Sequence, residues 1–165
     1  MKTWTRMESP IGGLVLVEQD GALLEIGFAD GPRPASPPAD AKELPDRFAA
    51  VVGQLEEYFR GERRMFDLAL APRGTPFQQN VWQALCDIPF GESTSYGEIA
   101  RRIGNPKAVR AVGLANGRNP LPIVIPCHRV IGANGTLTGY GGGLPIKRRL
   151  LALEGVAFRE TASLF

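Results

Sequence analysis

Two side chains able to act as nucleophile and base stand side by side in this chain, Cys127 and His128, with Arg129 directly after them. A thiol is mostly protonated at neutral pH and reacts as the thiolate, so a useful cysteine needs a base or a cation nearby. His128 is the single imidazole available, and Arg129 adds positive charge. Neighbours on an extended segment point in opposite directions, so His128 reaches the thiol only through a turn or a bridging water. A histidine base is usually oriented by a carboxylate. Beyond residue 98 the only carboxylates are Glu154 and Glu160. The competing reading makes Cys127 a small buried hydrophobe, the common fate of a free cysteine, and spacing alone favours it. The same reading applies more firmly to Cys86, which follows Leu85 in an amphipathic segment without a cation or imidazole beside it. Two cysteines and one histidine fall short of the four ligands of a closed zinc site, so no metal is expected. They are also too few for a disulfide scaffold, which suits a cytosolic protein.

The elements that must position these groups are legible from periodicity and punctuation. Lys2–Glu8, Leu14–Glu18 and Ala22–Phe28 read as antiparallel strands, joined through Gly12-Gly13 and an Asp20-Gly21 hairpin turn. Residues 31–45 hold five prolines and read as a loop. Asp46 then caps a helix whose apolar face is Phe48, Val51, Val52, Leu55, Tyr58 and Phe59, ending at Gly61. Met65–Leu70 reads as a further strand. Pro72-Arg73-Gly74 marks a domain boundary, giving domains 1–73 and 74–165. In the second domain Thr75-Pro76-Phe77-Gln78 is a capping box with proline at the first helical position. Ser95 to Glu98 is a second capping box, opening a short helix that stops at Gly104. Asn105-Pro106 starts another, running to about Asn116, and the two form a helix-turn-helix pattern. The segment after it, Leu121–Ile131, is apolar but carries Pro122 and Pro126, which an ordinary buried strand does not. A glycine-rich loop over 132–143 holds Tyr140, and a final helix, Pro145–Glu154, is capped by Gly155.

Charge narrows the function classes. Residues 1–73 balance at −3 and residues 74–165 at +5, within a net charge of +2. Between Glu98 and Glu154 there are nine cations and no carboxylate: Arg101, Arg102, Lys107, Arg110, Arg118, Arg129, Lys147, Arg148 and Arg149. Such a stretch is an ordinary solvated face or a surface that attracts a polyanion. The helix KAVRAVGLANG is rich in alanine and glycine. Its small side chains serve either close helix packing or a backbone lying deep in a DNA groove with Arg110 projecting, and the sequence does not choose. No apolar run is long enough to cross a bilayer, and the first residues have no signal core.

The run Pro126-Cys127-His128-Arg129-Val130 matches the active-site signature of the O6-alkylguanine-DNA alkyltransferases. Further blocks follow that family in order: TPFQQNVWQAL at 75–85, IPFGESTSYGEIA at 88–100, GNPKAVRAVGLANGRNPLPIVIPCHRVIG at 104–132 and LTGYGGG at 137–143. LLALEG, at the end of the chain's last helix, also falls where the family has one. The resemblance is close over residues 74–156 and general in layout over 1–73. It implies an α+β protein, with a small N-terminal sheet-and-helix domain and a mainly helical C-terminal domain bearing a winged-helix-type helix-turn-helix. It implies irreversible, once-only transfer of an alkyl group from O6 of guanine in double-stranded DNA to Cys127, by a monomer. Cooperative assembly on DNA, alkyl-size preference and activity on O4-alkylthymine are left open.

Carried over by position, the resemblance makes His128 the base, acting through a water, and Glu154 the residue that orients it. Tyr96 is the phenol that donates to the guanine ring as the leaving group gains charge. Arg110 fills the gap left by the flipped nucleotide, and Lys107, Ala111, Gly113 and Ala115 lie with it on the DNA-binding helix, which enters the minor groove. Asn119 ties that helix to the active-site segment. Tyr140 and Pro122 wall the alkyl pocket, and backbone groups at Val130 and Gly141 hold the base. Extruding a paired base costs a few kcal/mol, which phosphate contacts help to offset. No metal or organic cofactor is implied. Some relatives hold zinc through N-terminal cysteines and histidines, but none occur before Cys86 here. Gly141 replaces a larger residue of some relatives, and the regulatory domain of the adaptive-response relatives is missing. Two alternatives predict different behaviour. A non-catalytic alkylated-DNA-binding module would not need Cys127, and a Cys-His hydrolase would turn over repeatedly on an ester or amide.

Overall fold

The computed structural model describes residues 1–159, so Glu160, one of the two candidate orienting carboxylates, lies outside the described residues. The chain divides into two compact units, the first Met1–Arg73 and the second beginning at Gly74.

The first unit is a four-stranded sheet of β1 (Lys2–Met7), β2 (Leu14–Gln19), β3 (Ala22–Phe28) and β4 (Ala41–Glu43), in the order β3-β2-β1-β4. β1, β2 and β3 pair antiparallel, and the β2–β3 turn places Asp20 and Gly21 at φ 54° and 85°. Those values are the left-handed pair that a two-residue hairpin matching strand twist requires. Residues of both faces of β2 are buried; Val15 and Val17 cluster with Leu24, Trp4, Ala35 and Ala71. β4 sits inside the proline-rich stretch read as loop, and pairs parallel with β1 through Lys2, Thr3 and Trp4. Helix α1 (Ala49–Phe59) follows a 3₁₀ turn over Pro45–Phe48. Asp46 therefore lies within that turn and is not the α1 cap, a position held by Phe48 without a side-chain bond.

Met65–Leu70 is not a strand. Only Leu70 bridges Leu23, while Gln54 donates to the Asp67 carbonyl at 3.0 Å and accepts from its amide at 2.9 Å. A side-chain amide has taken the backbone groups that a strand ladder would use.

The second unit comprises α2 (Pro76–Leu85), β5 (Thr94–Ser95), α3 (Tyr96–Arg102), α4 (Val109–Gly117), β6 (Val130–Ile131) and α5 (Leu144–Leu153). The Thr75 capping box is complete. At α3 only half of the expected box forms: Ser95 accepts from the Glu98 amide at 3.1 Å, but Arg101 and Arg102 hold the Glu98 carboxylate. Helix α4 begins four residues later than the Asn105 start suggested, because Asn105 to Ala108 close a separate turn with the Ala108 amide on the Asn105 carbonyl at 2.9 Å. Val112, Ala115 and Asn116 form its buried side, while Arg110, Ala111 and Leu114 are exposed. Among the described residues no helix is long and apolar enough to cross a membrane.

Candidate active site

The two prolines of Leu121–Ile131 belong to a turn. The Ile125 amide donates to the Leu121 carbonyl at 2.8 Å, and Ile123 sits at φ 78°, a costly conformation for a β-branched residue. Cys127–Arg129 then form one turn of 3₁₀ helix. The segment is therefore not extended, and the alternation that sets neighbouring side chains on opposite faces does not apply to it. Val130 and Ile131 continue as β6, paired in parallel with Thr94 and Ser95 of β5. Because Tyr96 directly follows β5, that short pairing draws α3 toward the cysteine.

Cys127 is buried. Burial pushes its thiol pKa up, and hydrogen bonding from Asn119, the charge of Lys147 and hydrogen bonding from Tyr140 offset this only in part, so the thiol rests protonated and needs a base to become the reactive thiolate. Asn119 also donates to the Ile125 carbonyl at 2.8 Å and accepts from the Leu121 amide at 2.9 Å, linking the end of α4 to the turn before the cysteine. Asn116, which the sequence reading did not single out, donates to the Cys127 carbonyl at 3.4 Å.

The two residues after Cys127 belong to a buried cluster around Glu154. His128 Nε2 is 2.7 Å from Glu154 Oε2. Arg129 grips the same carboxylate, Nε to Oε1 at 2.8 Å and Nη2 to Oε2 at 3.1 Å, and donates to the Ile88 carbonyl at 2.7 Å. Arg129 thus neutralises Glu154 instead of lending its charge to the thiol. Burial pushes the His128 pKa down, more than its Glu154 contact raises it. A neutral imidazole beside an ionised carboxylate carries its proton on Nε2, which leaves Nδ1 as an acceptor. Nδ1 is buried and makes no hydrogen bond to the protein. A neutral histidine with one nitrogen pinned and the other open is a base.

Lys147 is the other residue missed by sequence reasoning, which counted it as a surface cation. It is fully buried, donates to the Val130 carbonyl at 2.7 Å, and burial lowers its pKa to about 8. Its spacing from Leu150, Leu151 and Glu154 puts it on the buried stripe of α5, a signal the sequence did contain. Tyr96 is half-buried, and its hydroxyl bonds Thr138; burial raises its pKa.

The remaining predicted site residues separate into two groups. Pro122 and Val130 are buried, Tyr140 is half-buried, and Gly141 is exposed. Val130 uses both backbone groups internally, its amide on Cys127 and its carbonyl on Lys147. On α4 and the turn before it, Lys107, Arg110 and Ala111 are exposed. Gly113 faces the Tyr96 ring, where an added Cβ would meet Cδ1 at 3.8 Å. Ala115, expected on the DNA-binding face, is buried, with its carbonyl accepting from Trp82 Nε1 at 2.8 Å. Both readings of the Ala/Gly-rich helix therefore apply, one to each side. The nine-cation face is also smaller than the sequence suggested: Arg101 and Arg102 pair with Glu98, and Arg129 and Lys147 are buried. Cys86 is exposed at the C-cap of α2, contrary to the buried reading. Among the described residues no three His, Cys, Asp or Glu side chains group to hold a metal.

Comparison with known proteins agrees over both units. Residues 2–72 match the family model for the 6-O-methylguanine DNA methyltransferase ribonuclease-like domain, and residues 76–156 match that for its DNA-binding domain. The chain is 55% identical over 148 residues to the methylated-DNA–protein-cysteine methyltransferase of Methanosarcina acetivorans, covering 90% of this chain and 95% of that protein. It is 47% identical to the constitutive enzyme of that name from Bacillus subtilis, covering 97% and 99% of the two chains. Among solved structures, the Mycobacterium tuberculosis OGT in complex with DNA is 50% identical, with a TM-score of 0.87 over 93% of this chain and 92% of that one. With both halves matched and relatives above half identity across nearly their full length, this chain belongs to the 6-O-methylguanine DNA methyltransferase family.

Proposed function

We propose that this protein repairs alkylated DNA by moving an alkyl group from O6 of guanine onto Cys127, once per molecule, with the damaged nucleotide turned out of the duplex. The observation that carries the assignment is the His128 ring. One nitrogen is fixed by Glu154 at 2.7 Å, the other makes no hydrogen bond to the protein, and the preceding residue in the chain is the buried Cys127. His128 removes the thiol proton through a water, and Glu154, held by Arg129, fixes the ring and stabilises the imidazolium that forms. The sulfur attacks the alkyl carbon, the carbon–O6 bond breaks, and Tyr96 donates a proton to the purine as it gains charge. Tyr140 and Pro122 border the alkyl group, and the Gly141 backbone holds the base, since both Val130 backbone groups are taken by Cys127 and Lys147. The thioether product is stable, which is why a second cycle does not follow.

Duplex DNA meets the exposed side of α4. Lys107 contacts phosphate, the small Ala111 allows close approach, and Arg110 occupies the space vacated by the flipped nucleotide, while Gly113 keeps room for the Tyr96 ring. A relative 50% identical to this chain has been solved in complex with DNA, which supports DNA as the partner. Two free cysteines, one required as thiolate, suit the reducing cytoplasm.

Incubation with a duplex containing O6-methylguanine should raise the intact mass by one methyl, mapped to the peptide holding Cys127. Cys127→Ala should abolish the gain while still binding the duplex. A methyl group found on another residue, or an unchanged mass with binding retained, would refute the transfer and favour a binding module.

A further inference from the structure

Thr138 has no part in the reading above, and Lys147 enters it only through its charge on Cys127, yet the two meet beside Tyr96. Lys147 Nζ is 3.3 Å from Thr138 Oγ1 and 3.4 Å from the Thr138 carbonyl, and the Thr138 hydroxyl bonds the Tyr96 hydroxyl. An ammonium has three donors and no acceptor, so the Lys147–Thr138 contact has one polarity: the threonine oxygen accepts. Either oxygen can donate in the Thr138–Tyr96 bond, and with the ammonium donating to Thr138, donation from Thr138 to the Tyr96 oxygen is the arrangement that aligns all three groups in one direction. A phenol whose oxygen accepts from Thr138 keeps its own single proton for whatever lies beyond it.

Resting on the reading of Tyr96 as the donor to the purine, we infer that Thr138 is a positioning residue, relaying the Lys147 ammonium to the Tyr96 oxygen so that the phenol proton points at the substrate. Hydrogen bonds aligned in one direction polarise one another, and a cation at the far end strengthens the last donor. The Lys147 amine, lowered to about 8 by burial, stays protonated at neutral pH. In the transfer step the S–C bond forms and the C–O6 bond breaks, its electron pair passing to the purine. The proton lost by Cys127 to His128 is matched by the one the purine takes from Tyr96. The resulting phenolate is held by the Thr138 hydroxyl, and phenolate and imidazolium return to neutral by proton exchange with solvent after the purine leaves.

Single-turnover transfer from a methylated duplex should fall on the order of tenfold in Thr138→Val, the scale of one lost hydrogen bond, and recover in Thr138→Ser. Duplex affinity should not change. The decisive control is alkylation of Cys127 by iodoacetamide, whose iodide needs no proton to leave: its rate should match the unsubstituted protein in every variant. Tyr96→Phe should lose more than Thr138→Val, and the double variant should be no slower than Tyr96→Phe alone. If Tyr96→Phe transfers normally, the phenol is not the donor and the reading of the site fails. Where Tyr96→Phe is slow but Thr138→Val is not, or where iodoacetamide slows in parallel with transfer, the relay is wrong while that reading stands.

Discussion

Glu18 in the first unit and Glu154 in the second are equally buried, each 5% exposed, and are held in different ways. Glu18 accepts from the Thr3 hydroxyl and the Gly21 amide, with the Arg47 guanidinium 3.7 Å away at a half-exposed position. Its partners lie on β1, in the β2–β3 turn and in the 3₁₀ turn before α1, and none of them is a base at neutral pH. Glu154 faces a buried guanidinium and a buried imidazole, and the imidazole keeps an open nitrogen. Burial of a carboxylate therefore says little about chemistry. What separates the two sites is whether the partner has an unspent acceptor and a nucleophile next to it.

Substitution tests that contrast most directly. Glu154→Gln removes the charge opposite Arg129 and lets an amide donate to the His128 nitrogen, favouring the wrong tautomer. Single-turnover transfer should fall about 10²–10⁴-fold, and denaturant titration should show a loss of about 3–5 kcal/mol. Glu18→Gln keeps an acceptor for its neighbours, so it should cost about 1 kcal/mol and leave transfer unchanged. Equal effects from the two substitutions would erase the distinction. On the DNA side, Arg110→Ala should slow transfer from duplex by about tenfold, as expected when a few kcal/mol of flipping cost loses its compensation. Free O6-alkylguanine should react almost as before, and equal losses on both substrates would remove Arg110 from the duplex.

The depressed His128 pKa has a stability consequence of definite sign. Below about pH 6.5 the unfolded chain binds a proton on this ring that the buried native ring resists, so stability is full above that pH and declines as pH falls through it. Urea midpoints measured from pH 8 to 5 should show the decline, and His128→Asn should flatten it. Smallest is the effect of Lys107→Ala, which should reduce the slope of log affinity against log salt by about one if the lysine meets a phosphate.

The α+β layout was readable wherever side-chain pattern and turn chemistry agreed, as in β1 to β3 with Asp20-Gly21 between them. β4 was hidden because Ala41, Lys42 and Glu43 carry no apolar alternation; only pairing with β1 makes them a strand. Met65–Leu70 misled for the reverse reason, since its alternation is real but Gln54 satisfies the backbone. At the site, adjacency exposed Cys127 and His128, the scarcity of later carboxylates narrowed the orienting group to Glu154 and Glu160, and the family resemblance selected Glu154. Charge counting failed for Arg129 and Lys147, because a tally of cations along a chain ignores which side of an element each one occupies. The Thr138 hydroxyl carried no signal at all: its value comes from two partners, 42 residues before it and nine after, that only the fold assembles.

The amides of Asn116 and Asn119 hang the carbonyls of Cys127 and Ile125 from the last turns of α4. The segment that carries the nucleophile and the helix proposed to meet the duplex are thus held as one piece, and any movement of the Cys127 carbonyl reaches α4 through those two side chains.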